Sequence, residues 1–311
     1  MNIVVIGGAG YVGHKLVPSL LEDGHRLTVI DTMWFGCWLK EHRALSVVKK
    51  DIRDLIEDDL GDAEVVIHLA NIANDPAVDL SPVLSWEVNV LATQRLADLA
   101  VRCGVRQIIY ASSGSVYGIK TEPKVTEDLD LVPLSNYNKT KMVAERVLLS
   151  YANQMAIHNI RPATVCGLSP RMRFDVSVNM FVSQAFRNKK MTILGGSQVR
   201  PNVHIDDLVD IYRFFVDKPD LPSGPYNAGF ENISILEIAK MVRRTLPSDL
   251  EIAPTNDPRS YRLDSSKLLG WGFEPRKSVQ HAISEISDAM MNGLEDEEIN
   301  HTVKWMKSLN L

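Results

Sequence analysis

Cysteine is scarce in this sequence: Cys37, Cys103 and Cys166 are the only three in 311 residues. An odd number excludes a fully paired disulfide framework, and the spacing fits no zinc pattern. They read as reduced thiols, as expected of a cytoplasmic protein. Long apolar runs are also missing; none approaches the roughly 20 residues of a membrane-spanning helix. Positive charge is not in excess. Lys and Arg number 34 against 39 Asp and Glu, a formal net charge of -5. Without a basic run, neither nucleic acid nor an anionic membrane is an expected partner. The eight histidines are scattered, so no metal site is expected. No internal repeat or low-complexity tract stands out. The first residues read as a strand rather than as a signal peptide.

What is present is an ordinary globular composition, 45% hydrophobic and 23% charged. The first two thirds alternate short apolar strands with amphipathic helices. Strands are expected at Asn2–Ile6, Arg26–Ile30, Ser46–Lys49, Glu64–Leu69, Gln107–Ser112 and near Met155–Ile160. Helices are expected at Gly13–Leu21, Leu84–Arg102 and Asn138–Tyr151. Strands apolar on both faces belong in a parallel sheet covered by helices. The predicted class is α/β, a Rossmann doubly wound parallel sheet over residues 1–167. Beyond Gly167, prolines and glycines punctuate shorter elements, with helices at Val178–Arg187, Ile205–Val216, Ile235–Arg244 and Val279–Asn292. This predicts a smaller mixed C-terminal substrate lobe over 168–311, some of its elements returning to the first domain. Glu295–Leu311 reads as a charged surface helix packed on that lobe.

The first strand runs into Gly7-Gly8-Ala9-Gly10-Tyr11-Val12-Gly13, a GxxGxxG turn that opens a helix. In such a turn Gly7 allows the tight bend, Gly10 the approach of a pyrophosphate, and Gly13 close helix–strand packing. The helix start then offers free amides to the anion. Asp31 ends the second strand, where an acid accepts from a ribose diol and repels a 2′-phosphate. The expected cofactor is therefore NAD rather than NADP. Asp51 and Ile52 follow the third strand. They read either as adenine contacts or as a helix cap before Leu55.

Tyr137 and Lys141 form YxxxK, and positions i and i+4 share a helix face. The lysine is expected to lower the phenol pKa, making Tyr137 a base for a hydroxyl during hydride transfer. Upstream, a strand ends in the cluster Ser112, Ser113 and Ser115. A hydroxyl there can polarise the reacting C–O group.

GxxGxxG, the acid at 31, His68-Leu69-Ala70, Asn89, Ser-Ser-Gly-Ser-Val-Tyr-Gly over 112–118, YxxxK and Arg161-Pro162 occur in one order. Together they resemble the extended short-chain dehydrogenase/reductase family, typified by UDP-galactose 4-epimerase, over Met1 to about Lys277. The resemblance implies Ser113, Tyr137 and Lys141 as catalytic residues. It implies Gly7, Gly10, Tyr11, Val12, Gly13, Asp31, Leu69, Ala70, Asn89, Tyr137 and Lys141 as NAD contacts, with Asp51 and Ile52 at the adenine. It also implies a nucleotide-diphosphate sugar as substrate, with Asn179, Arg200 and Arg259 near its phosphates. Ser169-Pro170-Arg171-Met172-Arg173 resembles a subgroup that includes a GDP-heptose 4-dehydrogenase, and places Arg171 and Arg173 at the substrate. A homodimer through Leu84–Arg102 and Tyr137–Tyr151 is implied as well. Position 166, usually tyrosine in the family, is Cys166.

The family's 4,6-dehydratases carry an Asp-Glu pair after the catalytic hydroxyl; here Gly114 and Ser115 stand there. Neither side chain is a general acid or base at neutral pH, which disfavours dehydration and UDP-glucuronate decarboxylation. The expected activity is an NAD-dependent 4-epimerase of a nucleotide sugar. The alternative is a 4-dehydrogenase or 4-ketoreductase for surface-polysaccharide precursors. A catalytically silent NAD sensor is the third reading, disfavoured because Tyr137 and Lys141 are both present.

Overall fold

A computed structural model describes residues 1–255 and 260–309. Twelve strands occur among them: β1 (Asn2–Ile6), β2 (Arg26–Asp31), β3 (Leu45–Lys49), β4 (Val65–His68), β5 (Gln107–Ala111), β6 (Ala156–Pro162), β7 (Thr164–Cys166), β8 (Lys190–Leu194), β9 (Val199–His204), β10 (Gly224–Ala228), β11 (Glu231–Ser234) and β12 (Asp249–Ala253). Seven form a parallel sheet in the order β3-β2-β1-β4-β5-β6-β10. Successive side chains of β1 serve opposite faces. Ile3 and Val5 join the core under the helices Gly13–Glu22 and Ile205–Asp217. Val4 and Ile6 join the core under Ala92–Arg102 and Asn136–Leu149. Both faces are covered, which is why β1, β4 and β5 are apolar runs without alternation. From β1 the chain steps outward through β2 and β3, then returns to its other side with β4. This reversal opens a crevice at the carboxyl ends of the strands, where ligands bind in open α/β sheets.

The expected Rossmann strands and the smaller mixed lobe are present. That lobe holds a three-stranded sheet, β11-β9-β7, and a parallel pair, β12-β8. Its own core includes Val178, Phe181, Ile193, Ile238, Ile283 and Ile286.

Three features differ from the sequence reading. β10, Gly-Pro-Tyr-Asn-Ala, was expected only as proline punctuation, yet it is the seventh strand of the main sheet. It pairs with β6 alone, and at an edge the missing N–H of Pro225 breaks no ladder. The expected helix over Leu84–Arg102 contains a π turn at Glu87–Leu91, a local device that re-aims side chains. The last segment holds a short helix, Thr302–Ser308; its first part is tied to the lobe, with Asp296 accepting from Ser183 and Arg187 (3.1 Å, through the carbonyl), while the helix itself packs on the first domain. Met306 is buried with Ile6, Ile72 and Val78, and the Trp305 indole donates to the Trp34 carbonyl (2.6 Å).

Candidate active site

A cleft of about 420 Å³ opens at the strand-order reversal. Gly7, Gly10, Tyr11, Val12, Gly13, Asp31, Asp51, Ile52, Leu69, Ala70, Ser113, Tyr137, Arg171 and Arg173 all line it. The glycines differ in what their own protein demands. Gly7 has φ +83°, and a Cβ there would lie 2.4 Å from the Ala70 nitrogen. A Cβ on Gly13 would lie 2.3 Å from the Gly8 carbonyl oxygen. On Gly10 the nearest atom would be 3.4 Å away. Protein packing therefore requires glycine at 7 and 13, while Gly10 keeps open the face turned to the cleft.

Asp31 accepts from the backbone amides of Ala9 (2.9 Å) and Met33 (2.7 Å). Burial raises its pKa, opposed by these two amides. Each carboxylate oxygen keeps a lone pair for a further donor. Asp51 is a cap, as one of its readings has it, holding the turn Ile52–Asp54 through the Arg53 amide (2.8 Å), and it also lines the cleft. Arg53 also grips its carboxylate through two nitrogens, 3.0 and 3.1 Å away.

At the other end, the helix Asn136–Leu149 carries Tyr137 and Lys141. Tyr137 and Ser113 both line the cleft, and the Ser113 hydroxyl lies near enough to the phenol to favour its ionised form. Ser113 Oγ lies 2.7 Å from Ser115 Oγ, which donates to Asn138 Oδ1 (2.6 Å). Three polar side chains thus orient one another behind the Tyr137 oxygen. The third serine, Ser112, instead donates to the buried Glu145.

The expected depression of the Tyr137 pKa is corrected. Burial pushes it up to about 12, and the largest opposing influence is Arg173, not Lys141. Lys141 is itself buried, and desolvation brings its ammonium down to about 7. It does not line the cleft. Nζ donates to the Ala111 carbonyl and sits 5.8 Å from the Tyr137 ring centroid. A desolvated lysine is a weaker electrostatic partner than spacing alone suggests.

Asn89 and Asn179 do not line the cleft. Asn89 accepts from the Ile72 amide (2.9 Å) and donates to Thr140 Oγ1 (3.1 Å), so it braces the wall segment 69–74 from behind. Asn179 accepts from the Gly167 amide (3.1 Å) and donates to the Tyr11 hydroxyl (3.1 Å) and the Arg173 carbonyl (2.9 Å). It ties the lobe to the glycine turn. Arg200 lies on β9, outside the cleft lining. Arg259 lies outside the described residues. Cys166 is buried, its thiol held in the neutral form by desolvation, and does not reach the cleft.

Arg173 is paired with Asp175 (2.8 and 3.1 Å). Burial alone would raise Asp175; the Arg173 guanidinium overrides it and holds the carboxyl at about 2. Arg171 is more deeply buried than Arg173, and its guanidinium lies over the Phe35 ring, 4.1 Å from the centroid.

Several lining residues carried no expectation: Trp34, Phe35, Asn74, Asp75, Tyr261, Thr302 and Met306. Asn74 adopts φ +76° and caps the helix Asp75–Val78 through the Ala77 amide (2.9 Å). The Asn-Asp-Pro run at 74–76 is a turn-and-cap signature that sequence alone offers. Thr302 and Met306 have no such signal. Away from the cleft, His204, Asp206 and Glu285 converge, but Lys15 and Lys277 already pair with the two carboxylates (2.8 Å each).

The chain is 31% identical to UDP-glucose 4-epimerase of Mycolicibacterium smegmatis over 317 residues, 94% of this chain and 99% of the relative. It is 27% identical to UDP-glucuronic acid decarboxylase 1 of Danio rerio, covering 100% of this chain and 77% of the relative. The solved structure of MoeE5 in complex with UDP-glucuronic acid and NAD superposes with a TM-score of 0.86 at 27% identity, over 94% of this chain and 100% of that one. The model of the NAD dependent epimerase/dehydratase family matches residues 3–229. With that match on the strand-order crevice, the Gly7–Gly13 turn and the Tyr137 helix, the chain belongs to the NAD dependent epimerase/dehydratase family.

Proposed function

We propose that this enzyme is an NAD-dependent nucleoside-diphosphate-sugar 4-epimerase with Tyr137 as its acid/base. The carrying observation is that Tyr137 and Ser113 line the cleft side by side, with Gly114 and Ser115 following Ser113 instead of acids. The family's NAD fits this cleft: Gly10 leaves its face open, and the Asp31 carboxylate has capacity for ribose hydroxyls. NAD bound there supplies a hydride acceptor and, in the second half of the cycle, a hydride donor. Gly7, Gly10, Tyr11, Val12, Gly13, Asp31, Asp51, Ile52, Leu69 and Ala70 form its bed.

Tyr137 takes the proton of the C4 hydroxyl as that carbon is oxidised and returns it when the opposite face is reduced. Ser113 donates to the same oxygen and polarises the transient carbonyl. Ser115 and Asn138 hold Ser113 in place. Lys141 fixes the Tyr137 helix to the end of β5 through Ala111. Arg173 adds positive charge near the phenol. The Thr302–Ser308 helix over the cleft favours a cofactor retained between turnovers. This supports epimerisation over a dehydrogenase or ketoreductase, which must exchange or recycle it. The homodimer belongs to the same reading: Val83 and Leu91, 72% and 59% exposed, offer apolar surface on the expected face.

The test is incubation with UDP-glucose, UDP-galactose, UDP-glucuronate and their GDP and dTDP counterparts. Inversion at C4 without net NADH is expected for at least one. NADH accumulation, loss of a carboxyl group, or loss of water overturns the epimerase assignment. The glycine turn gives a separate prediction. Gly10→Ala leaves the unfolding midpoint nearly unchanged, within about 0.5 kcal/mol, but weakens NADH binding by about tenfold. Gly13→Ala costs about 1–3 kcal/mol of stability, because its Cβ overpacks against Gly8. Calorimetric titration and urea unfolding of both variants separate the two effects.

A further inference from the structure

Among the described residues, the other arginines largely withdrawn from solvent around the site are paired. Arg161 has Glu145, and Arg173 has Asp175. Arg171 is 4% exposed, and among the described residues no carboxylate lies within ion-pair distance. Its Nε has no hydrogen-bond partner there either. A buried guanidinium without an anion is costly, and burial with the nearby Arg173 charge lowers its pKa to about 9. The side chain lines the cleft, so the missing anion belongs to a ligand.

Two diphosphates enter such a cleft, one on the dinucleotide and one on the sugar nucleotide. The surroundings of Arg171 select between them. Phe35, on which it stacks, follows Asp31 at the end of β2. Tyr11, His14 and Asp31 all lie close enough to feel its charge. These residues build the glycine turn, the start of its helix and the ribose acid. Arg173 also lies near Tyr11 and Tyr137, but it is committed to Asp175, and His14 and Asp31 feel Arg171 alone of the two.

We propose that Arg171, read from sequence as a substrate contact, instead binds the diphosphate of the dinucleotide, reaching over it from the second lobe. This rests on the NAD reading of the cleft. A planar guanidinium presents paired donors to diphosphate oxygens, and the Phe35 ring presets its plane. The amides at Gly10–Gly13 meet the same anion from the other side. The cofactor then joins two parts of the chain far apart in sequence. Two-sided capture slows its release, as an enzyme that returns its own hydride requires.

The test uses full-length protein stripped of nucleotide, with Arg171→Met and Arg171→Lys. Binding of NADH, ADP-ribose and adenosine is measured by calorimetry, and binding of UDP on NAD-saturated protein. The Met variant is expected to bind NADH and ADP-ribose about tenfold or more weakly. Adenosine and UDP should bind as in wild type, and the empty protein should unfold no earlier. The Lys variant, which keeps charge but loses the fork, should fall between. Unchanged NADH and ADP-ribose affinity overturns the proposal. So does a selective loss of UDP binding, which moves Arg171 to the sugar nucleotide. If the Met variant does not fold, the Lys variant decides: wild-type NADH affinity overturns the assignment and several-fold weakening supports it. Wild-type protein that binds neither NADH nor ADP-ribose fails one step earlier, at the cofactor reading itself.

Discussion

Tyr137→Phe lowers kcat by about 10²- to 10⁴-fold, with NADH affinity and the unfolding midpoint near wild type. The substitution removes one oxygen, on a side chain that lines the cleft beside Ser113. The ring and its packing remain. Asp75 also lines the cleft near the phenol, but its carboxylate is engaged by the Ser135 hydroxyl. Lys141 is turned to the Ala111 carbonyl, and Gly114 and Ser115 offer no carboxylate. Burial lifts the phenol to about 12, so its service as the base requires positive charge that favours the phenolate. Deprotonation depends on positive charge brought near it, for which Arg173 is the protein's contribution. Steady-state kinetics on the sugar nucleotide that turns over in the wild type, with NADH titration of the same samples, check this. A variant that retains wild-type kcat removes Tyr137 from the acid/base role.

Arg161→Met destabilises the protein by about 3–5 kcal/mol. Arg161 and Glu145 are 4% and 1% exposed and meet through two hydrogen bonds of 2.9 and 2.6 Å. The guanidinium also donates to the Tyr117 hydroxyl (2.7 Å), which donates to Asn227 (2.8 Å). Ser112 donates to the same Glu145. Removing the arginine strands a buried carboxylate, and most of the cost lies there rather than in the pair itself. Replacing both, as Arg161→Met with Glu145→Leu, therefore recovers much of the loss. Urea unfolding of the two singles and the double gives the coupling; a purely additive double sinks the argument. Because the network joins β6, the end of β5 and the Tyr137 helix, the single variant also lowers kcat at temperatures where it stays folded.

Arg161-Pro162 was legible in the sequence only as a family marker, and its role as a brace was not. The same gap separates other residues from their motifs. Asn89 and Asn179 read as ligand contacts, yet their amides are spent on Ile72, Thr140, Gly167, Tyr11 and Arg173. An asparagine looks the same in sequence whether it holds a ligand or a loop; only its partners distinguish the two. Asp51 shows the converse, since the cap and the cleft-facing residue are one side chain.

By itself the sequence determined the features that depend on near neighbours along the chain. Apolar runs mark strands buried on both faces, GxxGxxG marks a turn that only glycine can make, and YxxxK puts two side chains on one helix face. These follow from backbone sterics and the helical and strand periods, which act over a few residues. Tertiary structure alone decided what depends on distant segments meeting. It placed a proline-containing edge strand on the main sheet and a C-terminal helix across the cleft. It raised the Tyr137 pKa and lowered that of Lys141. It left Arg171 buried without an anion beside the dinucleotide turn. Desolvation and charge pairing depend on what surrounds a group in space, and no local pattern encodes that.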